Sequence, residues 1–112
     1  MKEEVIMIEK IKTDSGIEII MDKLENISTC SVGVFVKTGS SDENEDEEGI
    51  SHVLEHMIFK GTPGRNYLQI SEATDYLGAS INAHTTEEEA VFYVNALTEF
   101  LEMSVGVLCD VV

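Results

Sequence analysis

Residues 40–48 read SSDENEDEE, six carboxylates within nine positions. A charge is expensive to take out of water, and six of one sign cannot neutralise one another. This segment therefore has to be a solvated loop, and everything that packs must be built from the chain on either side of it. Its last carboxylates also suit the positive end of a helix that begins just after it.

Upstream of the loop the patterning is that of strands. Residues 4–12 and 17–22 are rich in Ile, Val and Met, and the TDSG cluster at residues 13–16 between them predicts a hairpin. A third strand over residues 29–38 alternates through Val32, Val34 and Val36 on one face and ends at Gly39. Downstream, residues 52–62 read as a helix, with Lys60 suited to its negative end, Gly61 to a left-handed C′ position, and Pro63 blocking continuation. Asn66 caps a second helix, with Gln69 completing a capping box. Leu68, Ile70, Ala73, Tyr76 and Leu77 form its apolar face, and Gly78 ends it. Residues 80–86 and 90–97 read as two strands around an acidic corner, Glu87, Glu88 and Glu89. A third helix starts at Thr98, with Leu101, Val105, Leu108 and Val112 as its buried stripe. Since Gly106 falls inside that stripe and no stop signal follows, the last helix reads as unfinished, and residues 1–112 as a partial domain truncated at its C-terminal end. The order ββ β α α ββ α predicts an α+β fold: a mixed, largely antiparallel sheet with helices packed on one face.

Composition narrows the function classes. A chain of 112 residues with 43% apolar content makes one modest domain. Lys plus Arg number only 7 against a net charge of −15, which excludes the phosphate-binding surface that a nucleic-acid partner needs. No apolar run approaches the ~20 residues that cross a bilayer, so no membrane is expected. No export or transit signal is legible, and Cys30 and Cys109 read as buried free thiols in a reducing compartment, which together indicate a cytoplasmic protein.

Within the first helix, HVLEHMIFKGT at residues 52–62 places His52 and His56 at i and i+4, on one face and one turn apart, with Glu55 alongside. Zinc accepts neutral imidazoles, and a helix that fixes their separation lowers the entropy lost on capture. A carboxylate that neighbours the pair without ligating can serve as a general base. Chance juxtaposition of two histidines and a surface glutamate is the competing explanation, but these are uncommon residues in so apolar a helix. HxxEH is moreover the inverted counterpart of the HExxH zinc motif.

The run GSSDENEDEEGISHVLEHMIFKGT at residues 39–62 resembles the motif region of the pitrilysin or insulinase family of zinc peptidases, in particular its mitochondrial and bacterial processing-peptidase branch. YLGASINAHTTEEEAVFYVNAL, later in the chain, is similar to that family's second signature, an N-A-x-T strand followed by an aromatic strand. The resemblance implies a zinc metalloendopeptidase that hydrolyses peptides or small proteins, with Zn2+ held by His52 and His56 and Glu55 as catalytic base. It also implies that Asn82 and Ala83 lie on the edge strand that aligns an extended peptide substrate by main-chain pairing. In the family a third ligand, a glutamate, sits on a later helix, so the chain is expected to lack it and to be inactive alone. A C-terminal half or companion subunit would complete the chamber, and a homodimer is one such arrangement. Inside the chain His84 and Glu87, Glu88 and Glu89 are the substitute ligands to consider. Two alternatives stand beside the enzyme. One is a non-catalytic peptide- or subunit-binding module of the same fold, and the other is an acidic cation binder using residues 40–48, which lack the spacing of a calcium loop.

Overall fold

A computed structural model describes residues 8–112. The predicted hairpin is present as β1 (Ile8–Lys12) and β2 (Glu18–Asp22), paired antiparallel with Lys10 opposite Ile20. The portion of the first predicted strand over residues 4–7 lies outside the described residues. The hairpin is a sheet by itself, and its apolar side chains, Ile8 and Ile20 among them, stay exposed.

The main sheet is assembled from β3 (Thr29–Val36), β4 (Ser80–Thr85) and β5 (Ala90–Leu97) in the order β3-β5-β4. Every pairing among the described residues is antiparallel, so the α+β reading holds without a parallel component. The register sets Val94 between Val32 and Ile81, and Phe92 between Val34 and Ala83. Because side chains alternate across a strand, these residues share one face. That face is the apolar one, and Phe92, Val94 and Leu108 form the core against it.

Leu108 comes from α3 (Leu101–Val111), which follows a 3₁₀ turn over Thr98–Phe100 and packs against β5 and β3. The buried face of α3 is Ser104, Val107, Leu108 and Val111, whereas Leu101, Val105 and Val112 are exposed. The expected stripe was thus wrong in all but Leu108. An almost wholly apolar helix offers more than one stripe at helical spacing, and contact with the sheet, which periodicity does not contain, selects among them.

Helix α2 (Tyr67–Leu77) conforms closely to its sequence. Asn66 Oδ1 accepts from the Gln69 N–H and Gln69 Oε1 accepts from the Asn66 N–H, both at 2.9 Å, and Gly78 closes the helix at φ 57°. Ile70 and Leu77 are buried and Ala73 is half-buried, but Leu68 and Tyr76 are exposed, so its buried face is narrower than expected. Helix α1 (Ile50–Met57) stops sooner than predicted. Gly61 lies outside it, at φ 156° in a β-bridge with Asn66, and is not its C′ residue. Lys60 does not serve its carbonyl end either, since its Nζ sits 5.1 Å from the centre of the Tyr67 ring. The turn between the two helices is tied to α3 through Asp110, whose Oδ2 accepts from Thr62 Oγ1 at 2.9 Å and from Arg65 Nη1 at 2.7 Å. Cys30 and Cys109 are free, as expected, but Cys30 is only half-buried and Cys109 is exposed.

Candidate metal centre

The acidic segment stays in solvent, yet it is not irregular. It forms two 3₁₀ turns, Ser40–Asp42 and Glu45–Glu47, the first closed by Gly39 N–H donating to Asp42 Oδ2 at 2.9 Å and the second capped by Asn44, whose Oδ1 accepts from the Asp46 N–H at 3.1 Å. The first turn is laced to the β4–β5 hairpin: Ser40 N–H donates to the Thr86 carbonyl at 3.2 Å and Ser41 N–H to the Glu87 carbonyl at 2.9 Å. Gly39 permits this approach, because a Cβ there would run into those same two carbonyl oxygens.

From this base the chain enters α1 through Gly49, at φ 88°, a conformation that disfavours any residue with a Cβ. As N-cap, glycine has no side chain with which to satisfy the first helical N–H groups. Glu43 does so from six residues upstream: its Oε2 accepts from the Gly49 N–H and its Oε1 from the Ser51 N–H, each at 3.0 Å. The Ser51 hydrogen bond, aided by that of Gly49, holds the Glu43 carboxyl below the usual glutamate range despite its partial desolvation.

On the helix so anchored, His52 Nε2 and His56 Nε2 lie 3.0 Å apart, with ring centroids 4.4 Å apart and planes at 85°. Both rings are exposed and Glu55 between them is half-buried. Two nitrogens bound to one tetrahedral zinc at 2.0–2.1 Å stand about 3.3 Å apart, so the pair needs only a small ring rotation to share an ion. At 3.0 Å one Nε2 can donate to the other; with the ring proton on Nδ1 in both imidazoles, the two Nε2 atoms would instead be the acceptors a cation seeks. Among the described residues no third His, Cys, Asp or Glu joins them. The imidazole of His84 lies instead against Tyr93, centroids 6.3 Å apart, and Glu87, Glu88 and Glu89 form the corner of the β4–β5 hairpin.

Helix α1 packs beside β4. Thr86 N–H donates to the Glu89 carbonyl at 2.8 Å, and antiparallel alternation from that pair directs the backbone groups of Ser80, Asn82 and His84 at β5. Those of Ile81, Ala83 and Thr85 therefore face the outer edge of β4, which has no partner strand among the described residues. Ala83 turns its methyl into the core and its amide outward, where it meets Asn82 Oδ1 at 3.1 Å. Of the two, Ala83 presents its main chain at the outer edge, whereas the main chain of Asn82 is directed at β5 and only its exposed side chain reaches the Ala83 amide. A cleft of about 510 Å³ runs from this end of β4 to the helix, lined by Thr85, Thr86, His52 and the acidic turns.

Sequence reasoning overlooked Glu43, reading it as one more solvated charge. The signal was indirect: Gly49 before the helix leaves donors unmet, and a carboxylate must come from somewhere.

Known proteins of one family resemble this chain. The family profile described as Insulinase (Peptidase family M16) matches residues 18–112. A protein of Rickettsia felis named as an uncharacterized zinc protease is 37% identical over 101 residues, covering 90% of this chain and 24% of that one. The human mitochondrial-processing peptidase subunit beta is 37% identical over 99 residues, covering 88% of this chain and 20% of its own length. The crystal structure of a protease from Helicobacter pylori superposes with a TM-score of 0.88 over 95% of this chain and 26% of that chain. At 24% identity that likeness speaks for the fold alone. The chain therefore spans about a quarter or less of the proteins it matches.

Proposed function

The chain belongs to the insulinase family, peptidase family M16, and from that premise we propose that it carries two zinc ligands and the general base of a metalloendopeptidase acting on peptides or small proteins. The observation that supports this most directly is the convergence of His52 and His56 Nε2 to 3.0 Å on one helical face, with Glu55 between them. His52 and His56 would hold the ion, presenting Nε2 while each Nδ1 keeps the ring proton. Zinc in such a setting polarises a carbonyl and acidifies water. Glu55, half-buried beside the pair and bound to neither ring, would accept the proton of the attacking water and pass it to the leaving amine. Extended substrate would lie along the outer edge of β4, pairing with the main chain of Ala83 after the Asn82 amide releases it.

Since a catalytic zinc normally takes three protein ligands, the site would be completed by a further segment or a companion subunit, a second copy of this chain being one form of it. The free thiols, Cys109 exposed among them, favour a reducing, cytoplasmic setting. No helix among the described residues is long and apolar enough to cross a membrane. The open β4 edge also suits a second reading, a peptide- or subunit-binding module without catalysis.

Metal analysis of the purified chain tests the first reading. Zinc bound by the native chain should be lost in both His52→Ala and His56→Ala, and equal metal content in all three proteins would overturn it. Peptide cleavage separates enzyme from binding module: Glu55→Gln should keep zinc and abolish turnover, while undiminished cleavage would remove Glu55 from its role.

A further inference from the structure

Helix α1 has eight residues and buries none of its side chains. Isolated helices of that length are not stable in water, so this one is oriented from outside, by its packing beside β4 and by the groups at its two ends. Behind it, Ile58 packs against the core formed by Phe92, Val94 and Leu108. In front, Gly49 contributes no side-chain bond, and Glu43 supplies the two that exist. Glu43 is in turn fixed by the turn it follows: its N–H donates to the Ser40 carbonyl at 3.3 Å, and Ser40 and Ser41 are bonded to the Thr86 and Glu87 carbonyls at the end of β4. An unbroken path of hydrogen bonds therefore runs from the edge strand, through one carboxylate, to the turn that carries His52.

We propose that Glu43 is a positioning residue for the metal centre, its carboxylate clamping the N-terminus of the histidine helix to the β4 hairpin so that His52 and His56 face one ion beside the edge strand. This rests on the zinc reading of that pair. A carboxylate is suited to the task because its two oxygens engage two N–H groups together and its charge complements the positive end of the helix. Glutamine retains one acceptor of the two, and alanine retains none. The neighbouring Glu45 provides a control, since it lies in the same acidic segment and makes no hydrogen bond to α1.

The test compares native protein with Glu43→Ala, Glu43→Gln and Glu45→Ala by three measurements: zinc affinity by competition with a chelator, amide hydrogen exchange, and the contact between the two imidazole rings by NMR in the metal-free protein. Glu43→Ala should weaken zinc binding about tenfold, the lower end of the effect seen when a residue that orients a ligand is removed. It should also speed exchange at Ile50–Met57 and lose the ring contact, with exchange in β5 unchanged. Glu43→Gln should recover part of each effect and Glu45→Ala should match native. Affinity within twofold of native in Glu43→Ala, or an equal loss in Glu45→Ala, would overturn the proposal, the second by showing that only net charge matters. So would faster exchange in β5 and α1 alike, the mark of a residue that merely stabilises the fold. If the native protein bound no zinc, the metal reading would fall, and exchange together with the ring contact would still decide whether Glu43 orients the pair.

Discussion

Helices α1 and α2 follow one another in the chain and are held in opposite ways. α2 carries its own stops: Asn66 and Gln69 exchange hydrogen bonds across its first turn, Gly78 closes it, and Ile70 and Leu77 bind it to the core. α1 begins on a glycine, buries no side chain, and carries the two imidazoles on an exposed face. Its orientation comes from its contact with β4, from Glu43 before it and from Ile58 after it. A helix with a buried face can specify itself, whereas one whose imidazoles stay in solvent gives up much of the burial that would fix it and depends more on groups at its ends. Functional sites are where such local rules are expected to break.

Substitution within each helix is the most forceful way to break this comparison. Ile70→Ala, on the buried face of α2, should lose about 2–5 kcal/mol in denaturant unfolding. His52→Ala, on α1, should change stability by no more than about 0.5 kcal/mol. If His52→Ala proved as damaging as Ile70→Ala, α1 would be a packing element after all. Next come the two N-termini. Gly49→Ala places a Cβ in the left-handed region and should destabilise by about 1–2 kcal/mol. Asn66→Ala removes a self-contained cap at about 1 kcal/mol. Thermal melts of the two variants rank these effects, and the comparison sharpens if hydrogen exchange confines the first to α1 and the second to α2.

Acid should produce the smallest effect. Both Glu43 and Asp110 are held below the ordinary carboxylate range, Glu43 chiefly by the Ser51 N–H and Asp110 chiefly by Arg65, with Thr62 next. A depressed value means that the folded state binds the proton less readily than the unfolded chain does. Their contribution is therefore complete above the usual carboxylate values and fades as pH falls below them. Protection from exchange at the start of α1, relative to the intrinsic rate at each pH, should fall in that window before protection within α2, whose cap uses neutral amides. Simultaneous loss in both helices would deny Glu43 a local role.

What the sequence disclosed follows the same division. The capping box of α2, its glycine stop and the strand at residues 90–97 are local signals, complete within a few positions, and each was legible. The i, i+4 histidines with Glu55 were legible for the same reason, since helical geometry alone brings them together. The buried stripe of α3, the early end of α1 and the clamp from Glu43 depend on contacts between segments distant in the chain or separated by a folded turn. Hydrophobic spacing could not select Val107 over Val105 without the sheet against which α3 lies.

The side chain of Asn82 gives the outer edge of β4 one more property. Unpaired strand edges invite indiscriminate self-association, and proteins blunt them by many devices. Here the Ala83 amide is already occupied by a neighbour that can swing away, so an incoming strand gains the central rung only by displacing that partner. A short or poorly aligned chain has few further rungs with which to offset that exchange. An extended segment that adds further rungs at Ile81 and Thr85 has more, so displacement of the Asn82 side chain would make pairing along this edge depend on the length of the visitor.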